Sequence, residues 1–154
     1  MTTRENINKI VGNILVGIMG FMVINVIWQV FTRYVLNSPS SVTDELARYL
    51  LIWLGVLGAA YVSGQKKHIA IHILPNKLSE AAKRKLEFLI AIIIIVFALL
   101  AFVIGGTHLM YLTFLLKQNS AALGIPMGFV YAIIPISGLL IVYYKISDLN
   151  SSAL

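Results

Sequence analysis

The 154-residue chain has no cysteine and little charge. Without thiols it can make no disulfide, no thiolate metal centre and no cysteine nucleophile. Charged residues are 12% of the chain and hydrophobic residues 59%, whereas a soluble domain is about 25% charged. The missing charge is also concentrated. No charged residue falls between Lys9 and Arg33, between Arg48 and Lys66, between Glu87 and Lys117, or between Lys117 and Lys145. Each gap reaches the roughly 17 to 25 residues that a helix needs to cross the hydrocarbon core. The sequence therefore predicts an all-α integral membrane protein, a single membrane domain over 1–154. Its four transmembrane helices are expected at roughly 10–32, 43–65, 86–116 and 125–145. A signal peptide does not account for the first of these, because its apolar region is only about 7 to 15 residues long. The loops are short, so no attached soluble domain is expected.

Acids are missing from the depths of all four helices, and this excludes more. A proton-coupled carrier or small drug exporter working alone needs an intramembrane carboxylate. There is also no nucleophile–base constellation and no matched pair of Gly/Pro-broken helices. The chain reads as a non-enzymatic subunit, with no cofactor and no metal site.

What charge there is has a direction. The formal net charge is +6. With the amino terminus inside, the inner segments hold Arg4, Lys9, Lys66, Lys67, Lys77, Lys83, Arg84, Lys85 and Lys145. The outer ones hold only Arg33, Arg48 and Lys117. This split follows the positive-inside rule with both termini cytoplasmic. The basic excess is topogenic, and nucleic acid is not an expected partner.

The first helix carries Asn25, Gln29 and Thr32 on one face of its outer half. Polar side chains at that depth face protein, so Asn25 and Gln29 are expected against helix 2 or a partner. Trp28, Phe31 and Tyr34 suit the outer aromatic belt. Helix 2 opens with "VTDELARYLLIW". Ser41 or Thr43 suits its cap, and Asp44 and Glu45 lie where the macrodipole favours acids. Capping does not explain Arg48, which is four residues after Asp44 and three after Glu45 and can reach either. Ile52, Gly55, Ala59 and Ser63 lie within about 60° of Arg48 around the helix. Small residues allow close helix approach in membranes. Asp44, Glu45, Arg48, Ile52, Gly55, Ala59 and Ser63 thus form a candidate subunit interface with a polar outer end.

The segment 66–85 is basic and is expected to include a short amphipathic helix on the cytoplasmic side. Lys77, Lys83, Arg84 and Lys85 are its candidate contacts to phospholipid head groups; a basic linker without fixed shape is the alternative. His68 and His72 are four apart but have no evident third ligand. His108 is expected to be a helix-packing histidine. A haem- or quinone-binding anchor of a respiratory complex is the second functional class, and one deep histidine argues against it. Pro126 suits the first turn of helix 4, and Pro135 should bend it.

The stretch "TDELARYLLIWLGVLGAAYVSGQKKHIAI" resembles the small membrane subunit, DctQ-like, of tripartite ATP-independent periplasmic (TRAP) transporters. The matching features are Asp44, Glu45, Arg48, Trp53, the run Gly55 to Ala60, and Lys67-His68-Ile69. The turn "NSAALGIP", Tyr131 and Pro135 also fit. His72 departs from the pattern, since an acid is common there. The resemblance implies a scaffold subunit in the bacterial inner membrane. Its partners would be a large elevator-type membrane subunit and a periplasmic substrate-binding protein. The implied activity is sodium-coupled uptake of an organic acid, either a sialic acid or a dicarboxylate.

Overall fold

The computed structural model describes residues 3–65 and 80–152. Four stretches are long and apolar enough to cross a membrane: Arg4–Tyr34, Ser41–Gly64, Arg84–Leu115 and Met127–Asn150. The elements are α1 (Thr3–Tyr34), α2 (Ser41–Gly64), α3 (Glu80–Phe97), a π-helical stretch Ala98–Gly105, α4 (Gly106–Leu115), α5 (Met127–Tyr131) and α6 (Ile133–Ser152). The third span is α3 through α4, and the fourth is α5 with α6. One end of the bundle carries the α1–α2 turn and the 116–126 turn; we term it the loop end. The other carries both chain ends and is the terminal end.

α1 begins earlier than the charge pattern suggests, because its first turn is tied down. Arg4 Nη1 meets Asp148 Oδ1 at 2.6 Å, and Arg4 Nη2 donates to the Gly64 carbonyl at 2.8 Å. Further along, Val11, Leu15, Ile18, Met22, Asn25, Gln29 and Thr32 recur every three or four residues. They form the covered side of α1, with Val11, Asn25 and Thr32 buried. That spacing is one helical face, and α1 packs along α2. The N-cap of α2 is Ser40, not Ser41 or Thr43: its Oγ accepts from Thr43 N at 3.4 Å. Thr43 Oγ1 instead donates to the Ser40 carbonyl.

The third span differs from an uninterrupted α-helix. Bonding from i to i+5 widens a turn, which brings Ala98, Phe102 and Gly106 toward one line facing the fourth span. A Cβ on Gly106 would lie 2.7 Å from Ile134 Cγ2, and one on Gly138 would lie 2.6 Å from Phe102 Cβ. Glycine is needed at both points for the two spans to approach. The fourth span is broken at Ala132, between α5 and α6. Pro135 has no N–H for the carbonyl four residues earlier, and the break falls where that bond is lost.

α2 packs against both α1 and α6, and α6 also packs on the third span. Val11, Leu57 and Ile133 form one core cluster; Ala60, Ala98 and Ile141 form the other. α2 and the fourth span are thus the central pair, flanked by α1 and the third span. Much of the remaining surface is apolar, including Ile24 at 66% exposure and Phe97 at 60%. Such a surface suits lipid.

Candidate functional site

Two neighbouring acids at the start of α2 do different things. Asp44 Oδ2 pairs with Arg48 Nη2 at 2.5 Å, and Asp44 Oδ1 accepts from Gln29 Nε2 at 2.8 Å. Nearby, Asn25 Nδ2 donates to the Thr43 carbonyl at 2.8 Å. Asn25 and Gln29 therefore fasten α1 to α2 within this chain. The Asp44 and Arg48 side chains are 46% and 72% exposed. Their pair lies on the surface and contributes only about 0–1 kcal/mol to the isolated fold.

Glu45 lies 100° further round α2 and faces the 116–126 turn. Its Oε1 accepts from Tyr49 Oη at 2.6 Å and Ala121 N at 3.1 Å. Its Oε2 accepts from Ser120 Oγ at 2.6 Å, Ala122 N at 2.8 Å and Leu123 N at 3.1 Å. Successive backbone N–H groups in a turn make a concavity for an anion, and here the anion is the chain's own carboxylate. The turn reaches this shape through two left-handed residues, Lys117 at φ 47° and Gly124 at φ 68°. The Asn119–Pro126 bridge closes it.

The same side of α2 continues to the fourth span. The Tyr49 hydroxyl lies 3.2 Å from Met127 Sδ. Trp53 Nε1 donates to the Val130 carbonyl at 3.0 Å, beside the break that Pro135 creates. Glu45, Tyr49 and Trp53, spaced by four, fasten the loop and the broken helix. Among the described residues Arg48 pairs with Asp44 alone, since the inward face claims Glu45.

The opposite side of α2 is bare. Arg48, Leu51, Gly55, Ala59 and Val62 are exposed, and a Cβ on Gly55 would meet nothing within 4 Å. Ile52 is half-buried against the core cluster of Val11, Leu57 and Ile133. Ser63 is also half-buried, and its Oγ has no hydrogen-bond partner among the described residues. Of the candidate lipid contacts, Arg84 and Lys85 are exposed at the start of the third span. Lys77 and the Lys83 side chain, with His68 and His72, lie outside what the structure describes.

Sequence reasoning missed the terminal-end cluster. Arg4 lies over the Tyr144 ring, 5.7 Å from its centroid. Lys145, 2% exposed, lies 3.8 Å from Asp148. A Cβ on Gly64 would fall 2.7 Å from Tyr144 Cζ and 2.9 Å from Asn8 Oδ1. The available signal was Arg4 near the start of α1 and, on α6, Lys145 and Asp148 three residues apart. His108 is exposed rather than packed between helices. Among the described residues, no three His, Asp or Glu side chains converge as a metal site.

Residues 22–153 match the family model of tripartite ATP-independent periplasmic transporters, DctQ component. The chain belongs to this family. It is 32% identical over 148 residues to a protein of Haemophilus influenzae named as a TRAP transporter small permease, covering 95% of this chain and 89% of that one. It is 28% identical over 146 residues to the sialic acid TRAP transporter small permease protein SiaQ of Vibrio cholerae, covering 95% and 83%. A third similarity, 27% over 73 residues, is to the sialic acid TRAP transporter permease protein SiaT of H. influenzae; it takes in 47% of this chain and 11% of that protein. This DctQ chain is thus a multi-pass membrane component of a transporter. The family gives no support to a haem or quinone anchor.

Proposed function

We propose that this DctQ chain is the immobile scaffold of a TRAP transporter that takes up an organic acid, a sialic acid or a dicarboxylate, with sodium. In this reading it sits in the bacterial inner membrane with both termini cytoplasmic. The bare side of α2 docks on the large permease, with Arg48 and Asp44 as its polar end and Gly55 and Ala59 as its close-packing part. Ile52 and Ser63 border that contact. Asn25, Gln29 and Glu45 serve it indirectly, by fixing α1 and the 116–126 turn against α2. A periplasmic binding protein supplies the substrate, and Lys77, Lys83, Arg84 and Lys85 meet anionic head groups.

The observation that carries the reading is the division of labour on α2. Glu45, Tyr49 and Trp53 are spent on the chain's own fold, while an ion pair and small residues are left uncovered. The likeness to SiaQ supports a sialic acid, and the likeness to part of SiaT supports a permease partner.

Reconstitution tests the assignment. Liposomes should hold this chain alone, the large permease alone, or both, with binding protein outside and an inward sodium gradient. Uptake of sialic acid only by the pair is expected. Uptake by this chain alone would reject the scaffold reading. Equal uptake by the large permease alone would remove its necessity. A periplasm-dependent reporter at the carboxyl terminus should stay inactive.

A further inference from the structure

We propose a second docking surface, on the third span, where His108, Thr107 and Tyr111 meet a transmembrane helix of the large permease that brings a hydrogen-bonding group. The proposal rests on the DctQ assignment but not on α2. On the third span, Ala98, Gly106 and Thr113 are buried, the first two against the fourth span. Ile104, His108, Tyr111 and Leu115 are exposed on the opposite side. Val103, Ile104, Thr107, His108 and Tyr111 line an open cleft of about 480 Å³ there. His108 has no hydrogen-bond partner among the described residues. The cleft adjoins the π-helical stretch, whose last residue is the exposed Gly105.

Depth decides what fills it. His108 lies nine residues inside Lys117, or about 13 Å along a helix axis. Hydrocarbon offers nothing to an imidazole N–H or to its acceptor nitrogen, and head groups are at the level of Lys117. Polar side chains at such depth normally face protein. The ring needs a donor or acceptor from another membrane helix, and the cleft leaves room for that helix to approach. A large permease is the favoured source, since a stretch similar to this chain occurs within the much longer SiaT chain.

The test uses this chain with its large permease in nanodiscs. A photo-crosslinking residue replaces Ile104 or Tyr111, leaving His108 intact. Leu89, exposed on the same span, is the control, and Gly55 reports on α2. Crosslinks to the large permease from 104 and 111, and none from 89, are expected. A separate His108→Leu variant should lower recovery of the large permease several-fold. Leucine suits lipid, so unchanged recovery would overturn the proposal. Crosslinks from 104 and 111 only to lipid, or only to a second copy of this chain, would also overturn it. Capture from 55 but not from 104 or 111 rejects this surface and keeps the α2 interface. Capture from 104 and 111 but not from 55 does the reverse.

Discussion

The two faces of α2 differ in how completely they are used. On the inward face, Glu45 accepts five hydrogen bonds, and Trp53 serves the carbonyl of a broken helix. On the outward face, one pair stands in the open, and a Cβ on Gly55 would meet nothing within 4 Å among the described residues. Both faces carry an acid and an aromatic or basic partner four residues on. Composition therefore does not separate them; a turn rotated by 100° does. The inward residues maintain the chain, and the outward ones are free to serve something outside it. Substitutions on the two faces should accordingly fail in different assays.

The largest effect on the chain itself is expected from Glu45→Gln. The side chain keeps its size, but one oxygen becomes an NH2 donor facing groups that are donors already. Backbone N–H groups of Ala121 to Leu123 then lose part of a charged acceptor, and hydrogen bonds to a charged group contribute more than neutral ones. Thermal unfolding in detergent should show the greatest fall in midpoint of all the variants here, with faster proteolysis at 118–126. A midpoint equal to wild type would mean that the turn holds its shape without Glu45.

Gly64→Ala probes the inward side at the terminal end. The new methyl would run into the Tyr144 ring and Asn8. Overpacking of this kind costs about 1–3 kcal/mol, read as a lower unfolding midpoint. Trp53→Phe should be comparable or milder. It keeps an aromatic ring but leaves the Val130 carbonyl without its indole donor, a loss of about 1–3 kcal/mol. If Trp53→Phe is neutral, the α5–α6 break is satisfied by other means.

Much of this was legible in the sequence, for a physical reason. Four gaps in charge locate four spans, because hydrocarbon rejects charge wherever the chain happens to fold. The Asn25, Gln29 and Arg48 positions likewise follow from helical spacing alone. Glu45 was harder, because helix geometry allows it either Arg48 or the distant turn. Only the fold brings residues 120 to 123 within reach. The Arg4–Asp148 pair joins residues 144 positions apart, and no periodicity reports such a contact. The π-helical stretch was invisible too, since its composition is as apolar as that of an α-helix. The side on which His108 lies was not legible either, because a lone histidine in an apolar run carries no mark of which side it faces.

Arg48→Ala should have the smallest effect on the chain, and that is its use. The guanidinium is 72% exposed, and Asp44 keeps the Gln29 amide when it is removed. An exposed pair is screened by salt and contributes about 0–1 kcal/mol, so the unfolding midpoint of the isolated chain should hardly move. Docking changes the sum. If the large permease covers this face, the pair is desolvated, and removing one member strands the other at a cost of roughly 3–5 kcal/mol. Arg48→Ala should then lower co-purification with the large permease and reduce uptake while leaving the chain's own stability intact. Gly55→Leu should match it through bulk, since a Cβ there meets nothing within 4 Å among the described residues. The expected signature is a loss in complex yield without a loss in midpoint, the reverse of Trp53→Phe if that variant's damage stays within the chain. Wild-type yield and uptake from both variants would make the outward face a lipid-facing surface and leave docking to another part of the molecule.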